Sequence, residues 1–371
     1  MLRSFLPIGQ GGFAVEQFDD ARYNVVFDCG TSTANGKSSA RQAIEDQIRQ
    51  TFDSKTKIQK VFFSHLHADH INGLPFLLRY CRVSQVYLPY LTKSERVITL
   101  ILLYDTLNDD NGPLLQHLIT GQSLYRDGVD TRAVYVLPSE QEGYRQGEYH
   151  AEIIPSGHAI RLDEYKNGGP NQWTFIPFTY EDTQRSKQFE AILNNCGIGA
   201  SIQTQILTDS FWRDPKLLKP LRDAYKQIVS DMNLTTMVVW SGPESGHKQY
   251  PCKDNNCICM SEKCCRQYYE PGCLYTGDYR AFDPNEWNAL KAAYDHVWSR
   301  TGVFMIPHHG SSYNFNPDLV KQYAAYIINA GYQNRYGHPH QKVLRYLIDN
   351  GCRFYWVNEH RGSEVAFRVP I

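Results

Sequence analysis

The sequence predicts an α/β fold carried as one domain with insertions. Three observations predict it. Short apolar strands alternate with amphipathic helical stretches, many strands are apolar enough to be buried between helical layers, and no linker or internal repeat divides the 371 residues. Length alone suggests roughly two domains. The missing linker favours one unit over 1–371, with insertions at about 84–150 and 183–230 and a Cys-rich loop at 244–272.

In chain order, VEQF (15–18) and NVVFDCG (24–30) read as strands joined by polar DDAR. A helix follows, capped by Ser38 or Ser39, with Ala40, Ile44, Ile48 and Phe52 on one stripe. KIQKVFF (57–63) is the next strand, and residues 74–80 open another helix. The region 84–150 mixes short strands (VYL, VYVL) with a helical stretch around 93–107. AEIIP (151–155), WTFIPF (173–178) and TMVVW (236–240) are strands, with helices at 183–195 and 216–230 before the last. CLYTGD (273–278), GVFMIP (302–307), AAYIINA (324–330), CRFYWVN (352–358) and EVAFRV (364–369) complete the strands. Asp283-Pro284 opens a helix as cap and first-turn proline, with Trp287, Leu290, Tyr294 and Val297 inward. A last helix runs from Pro339 to Gly351.

The chain is 42% hydrophobic and 21% charged, with a formal net charge of −1. That balance gives no electrostatic case for general nucleic-acid or membrane binding, although a local basic groove is compatible with it. The longest apolar run, VITLILLY (97–104), is about one-third of a membrane span. The N-terminal stretch lacks the basic start and apolar core of a signal peptide. A soluble, cytoplasmic protein with no membrane partner is expected.

The chemistry concentrates at FFSHLHADHING (62–73), where three histidines and an aspartate follow a strand. Alternation sends the rings of His65 and His67 the same way on an extended segment. Asp69 and His70 lie on the turn beyond and can reach a neighbouring ion. Imidazole suits zinc, and a carboxylate suits a harder second cation. Two such ions sharing a hydroxide would make it a nucleophile at neutral pH.

His65-x-His67-x-Asp69-His70 resembles the signature of metallo-β-lactamase-fold hydrolases, which implies a four-layer αββα sandwich. Phe27-Asp28-Cys29-Gly30 is similar to the strand and turn that precede that signature, and Tyr275-Thr276-Gly277-Asp278 to the later strand whose aspartate bridges two metals. Gly9-Gln10-Gly11, then Pro307-His308-His309-Gly310-Ser311-Ser312, then Asn334-Arg335-Tyr336-Gly337-His338-Pro339 occur in order. Together they resemble the soluble hydrolase domain of ComEC-type competence DNA-uptake proteins and its free-standing relatives. The resemblance implies His338 as the late metal ligand and His308 and His309 on the same face, with His309 favoured as proton donor. The two neighbours are not both expected in the site, because adjacent side chains diverge.

Two departures qualify this pattern. Pro7-Ile8 stands where the subgroup usually has an aspartate. The place of a third histidine on the first metal is taken by Asn233, which would then face the metals; Gly157-His158 is the competing candidate. Separately, Cys252, Cys257, Cys259 and Cys264 could close a tetrahedral structural zinc, with disulfides or free thiols as alternatives. Cys273 reads as core.

The expected function is a dinuclear metal-dependent hydrolase holding two Zn2+, with Mn2+ also compatible, and acting on nucleic acid or another phosphodiester. The alternatives are hydrolysis of a small ester, thioester or lactone, and a protein-interaction component. Gly9-Gln10-Gly11-Gly12 lacks the lysine and helix of a phosphate-binding P-loop.

Overall fold

The computed structural model describes residues 1–18, 21–34, 38–103, 112–120, 124–126, 129–138, 151–162, 173–180, 182–208, 220, 223, 235–244, 248–254 and 268–369. In chain order the strands are β1 (Leu2–Phe5), β2 (Gly11–Phe18), β3 (Tyr23–Thr31), β4 (Lys57–Phe62), β5 (Arg82–Pro89), β6 (Leu124–Arg126), β7 (Val129–Leu137) and β8 (Glu152–Pro155). They continue with β9 (Ile160–Arg161), β10 (Trp173–Thr179), β11 (Met237–Pro243), β12 (Tyr250–Asp254), β13 (Gly272–Tyr275), β14 (Thr301–Met305), β15 (Ala325–Asn329), β16 (Arg353–Val357) and β17 (Val365–Arg368).

These form two sheets. A ten-stranded sheet runs β12-β17-β1-β2-β3-β4-β5-β7-β6 with β8 on β7, and a seven-stranded sheet runs β16-β15-β14-β13-β11-β10-β9. Strand alternation sets the layers. Val25 and Phe27 enter the core between the sheets while Val26 faces outward. In the second sheet Val303 and Met305 face inward and Phe304 outward. The outer face of the first sheet is covered by helices that include Ala40–Thr51 and Leu74–Tyr80, through Ile44, Ile48, Leu74 and Leu77. Pro284–Trp298 and Gln341–Asp349 cover the second through Leu290, Tyr294, Val343 and Leu347. The layering is therefore αββα, as the resemblance implied.

The core between the sheets is aromatic near the histidine turn. Phe27 stacks on Tyr275 at 3.6 Å between ring centroids and on Phe62 at 5.5 Å. Such pairs contribute about 0.5–1.5 kcal/mol each beyond burial. The same core holds a fully buried ion pair. Arg3 Nε donates to Glu16 Oε1 at 2.7 Å, and Glu16 Oε2 accepts from Ser241 Oγ at 2.6 Å. This joins the two sheets across β2 and β11.

Some expectations shift. Residues 84–150, read as an insertion, supply β5 and β7 to the interior of the first sheet, so that part is framework. β1 and β12 are strands that sequence reading passed over. The helix expected at 216–230 lies almost wholly outside the described residues, as do Cys257, Cys259, Cys264 and Asn233. Cys252 lies within β12, and Cys273 is fully buried. No helix among the described residues is long and apolar enough to cross a membrane.

Parallel pairing positions the site. β3, β4, β5 and β7 pair in parallel, and so do β13 to β16. Their carboxyl ends deliver loops to one edge of the sandwich, where open α/β sheets bind ligands.

Candidate metal centre

Beyond β4, Leu66 turns into the core while His65 and His67 turn the other way, their rings 4.7 Å apart and nearly perpendicular. The next turn, Ala68–Ile71, presents Asp69 and His70. It packs on β3 so closely that a Cβ on Gly30 would lie 2.6 Å from the His70 carbonyl carbon. Only glycine fits there. Beyond β13, Gly277 adopts φ +51°, and a Cβ on it would lie 2.3 Å from Ser64 Cβ. That contact sets Asp278 against the histidine turn.

Asp278 is the hub. Its Oδ1 lies 3.3 Å from His70 Nε2 and 3.7 Å from His309 Nε2, and its Oδ2 lies 3.5 Å from both His65 Nε2 and His308 Nε2. Asp69 Oδ2 is 3.5 Å from His309 Nε2. Among the described residues, three groups have ligand atoms within 4.8 Å of one another: His65–His67–Asp278, His65–Asp69–His70 and His70–Asp278–His309.

The hydrogen bonds behind the rings fix which nitrogen carries the proton. Asp28 accepts from the Ser64 backbone N–H at 2.7 Å and from Ser64 Oγ at 2.8 Å, so its Oδ2, 2.8 Å from His70 Nδ1, takes that ring's proton. With its own proton on Asp28, Ser64 Oγ can accept from His65 Nδ1 at 3.0 Å. The Asn329 carbonyl accepts from His309 Nδ1 at 2.7 Å. Asn314 gives its amide hydrogens to the carbonyls of Asp278 and Tyr279, which leaves its oxygen to accept from His308 Nδ1 at 3.0 Å. In their neutral forms, all four rings therefore turn Nε2 lone pairs toward Asp278.

His308 and His309 both reach this centre although they are adjacent. They occupy consecutive left-handed conformations, φ 48° and 55°, where alternation does not apply. Left-handed backbone costs a non-glycine residue about 1–3 kcal/mol and persists where its surroundings over-determine it. His309 is buried with the ligand groups, whereas His308 is 28% exposed. His338 stands outside the three groups. Its ring is 5.5 Å from His308 and 6.3 Å from His309, and its Nδ1 is 3.5 Å from Gln10 Nε2. A cis peptide bond joins it to Pro339.

The carboxylates of the cluster attract protons as they would attract cations. Burial holds His65 and His67 below the ordinary imidazole range, so they are neutral and ready to ligate. Burial also pushes His70 and His309 down, but Asp28, Asp278 and Asp69 around His70, and Asp278 and Asp69 around His309, outweigh it and raise both. Burial would raise Asp278, yet His308, His70, His65 and His309 outweigh it and hold the carboxyl well below the usual range. Burial, with His308 and His309 nearby, lowers His338 to about 4.

The residues present fit metal. Among the described residues, His65 Nε2, His70 Nε2 and His309 Nε2 are buried acceptors without a hydrogen-bond partner. Leaving such atoms unpaired costs about 1–3 kcal/mol each, and cations at this point would satisfy them together.

His158 is placed elsewhere. It is exposed and lines a cleft of about 460 Å³ with Lys60, Arg132 and Glu152, and it belongs to none of the three groups. Sequence reading assigned no role to Ser64, Asn314 or Asn329. Asp28 does carry a signal in the sequence, as an aspartate inside the apolar run VVFDCG.

Residues 15–138 match the metallo-beta-lactamase superfamily. That stretch contains His65, His67, Asp69 and His70 and stops before Asp278. Three curated ribonucleases are similar over short stretches. Ribonuclease J of Mycoplasma genitalium is 23% identical over 113 residues, 30% of this chain and 18% of its own length. Ribonuclease BN of Cronobacter sakazakii is 35% identical over 130 residues, 32% of this chain and 38% of its own. Ribonuclease Z of Bacillus subtilis is 35% identical over 65 residues, 18% of each. The matched stretches thus span less than two fifths of these relatives. Among solved structures, the subclass B3 metallo-beta-lactamase MEM-A1 from a soil metagenome library superposes with a TM-score of 0.31 and 12% identity, covering 82% of this chain and 79% of that one.

Proposed function

We propose that this chain is a metal-dependent phosphodiesterase of nuclease type with two divalent cations. The observation that carries the reading is the convergence of buried imidazole lone pairs on Asp278 beside Asp69. His65, His67 and Asp278 would hold one cation, and Asp69, His70, Asp278 and His309 the other, with Asp278 shared. When bound, such a pair supplies a water nucleophile at neutral pH and offsets charge on phosphate oxygens. Histidine-rich ligation favours zinc, while the two carboxylates also suit manganese.

The protein's own groups do the rest. Asp28 and Ser64 orient His70 and His65, Asn329 orients His309, and Asn314 orients His308. His308, partly exposed at the rim of the cluster, is assigned the proton transfer to the leaving oxygen, and His309 moves to the ligand set. His338, neutral across physiological pH and accepting from Gln10 at Nδ1, would donate its Nε2–H to a substrate oxygen. The ribonuclease names of the relatives and the ComEC-type likeness of the HHGS and YGHP stretches support a phosphodiester. Asn233 and the structural zinc on Cys252, Cys257, Cys259 and Cys264 remain proposals from sequence.

The test is turnover of a nitrophenyl phosphodiester, RNA and DNA by metal-loaded protein, beside a His67→Ala variant and a carboxylic ester. Diester cleavage that His67→Ala abolishes is expected. Ester cleavage without diester cleavage would overturn the phosphodiesterase reading.

A further inference from the structure

We infer that an aromatic rim around the metal centre is a stacking surface for unpaired bases, so that the substrate is single-stranded nucleic acid. This rests on the phosphodiesterase reading and narrows its substrate class.

Seven large hydrophobic side chains are exposed among the described residues, and four of them, Phe282, Tyr313, Tyr332 and Tyr336, follow the carboxyl ends of β13, β14 and β15. Those ends also supply Asp278, His308, His309 and His338. Tyr313 is 84% exposed and adjoins Asn314, which holds His308 at 3.0 Å. The Tyr336 ring lies 5.9 Å from His338. Tyr332 follows Gly331, whose N–H is 3.4 Å from Gln10 Oε1, and Gln10 contacts His338 in turn. Exposed rings scattered singly need no explanation, but Tyr313 and Tyr336 adjoin Asn314 and His338 of the site itself, and from that placement the interaction surface is inferred.

Flat rings in water beside a phosphodiester site match bases that are not already stacked in a duplex. Arg335 adds a cation, its guanidinium 4.9 Å from the Tyr336 ring centroid and donating to the Tyr336 hydroxyl at 2.7 Å. The chain's net charge of −1 argues against a long basic track. Stacking would then carry the affinity, and binding would fall only shallowly with salt, by about 0.7 in the log–log slope for each phosphate contacted.

The experiment is fluorescence anisotropy of a labelled single-stranded oligonucleotide, and of a duplex of equal length, with chelator-treated protein. Single-strand binding at least about tenfold tighter than duplex is expected. Tyr313→Ala, Tyr332→Ala and Tyr336→Ala should each weaken it about fivefold to a hundredfold, with Tyr336→Phe restoring most of the loss. Tyr323→Ala, an exposed ring at the opposite end of β15, should leave it unchanged. Equal binding of duplex, or alanine variants that bind like wild type, would overturn the inference. Hydrolysis of a nitrophenyl phosphodiester by wild type is followed in parallel. If hydrolysis occurs and the variants still bind normally, the stacking surface alone is refuted. If no metal supports hydrolysis, the phosphodiesterase reading is refuted, whatever the strand does.

Discussion

Asp28→Asn tests how the metal centre is held, because it preserves shape and changes only what one oxygen can accept. In the native protein Asp28 Oδ1 accepts the Ser64 backbone N–H, while Oδ2 accepts from Ser64 Oγ and His70 Nδ1, at 2.7, 2.8 and 2.8 Å. An amide keeps the first bond and turns an NH2 toward the other two. His70 must then carry its proton on Nε2, which points a donor at Asp278 where a lone pair stood. Losing a partner behind a metal-bound histidine costs about 10–100-fold in metal affinity. That corresponds to roughly 1.4–2.7 kcal/mol. Competition titration against a chromophoric chelator, with Zn2+ and with Mn2+, reads this directly, and near-ultraviolet circular dichroism checks the fold. An Asp28→Asn protein that keeps its fold and binds both cations as tightly as wild type would refute the tautomer argument.

Other predictions follow from the same geometry. His309→Ala should release one of the two cations, whereas His338→Ala should keep both and lose turnover, as separated by elemental analysis and steady-state kinetics. Gly30→Ala forces a Cβ to 2.6 Å from the His70 carbonyl carbon, so a loss of about 1–3 kcal/mol in urea denaturation and weaker metal binding are expected. Glu16→Ala strands the fully buried Arg3 guanidinium and should cost about 3–5 kcal/mol by the same measurement, with metal affinity in the folded protein unchanged. Chelation should abolish diester cleavage, and adding Zn2+ or Mn2+ should restore it.

The layered fold was legible because the signals are local. Strand alternation at Val25-Val26-Phe27 and the capped helix at Asp283-Pro284 depend on residues next to one another. The orientation of His65 and His67 was legible for the same reason. What escaped sequence reading depends on the rest of the fold. β1 is only four residues and carries Arg3, a charge that reads as surface until Glu16 arrives from the next strand. β12 carries Pro251, which an edge strand tolerates, and it pairs with β17 more than a hundred residues later. That His308 and His309 both reach the centre was hidden by two consecutive left-handed residues, a conformation uncommon outside glycine even though histidine is among the residues enriched there. Asp28 was visible as a charge in an apolar strand, but its partners Ser64 and His70 meet it only after β3 and β4 pair.

Metal stoichiometry tests the central claim most directly: protein purified from medium supplemented with Zn2+ and Mn2+, counted by mass spectrometry and located by anomalous diffraction. Two cations per chain are predicted, one on each side of Asp278, with Asp278→Asn retaining fewer than one. A wild-type crystal with no anomalous peak among His65, His70, Asp278 and His309 would contradict the account.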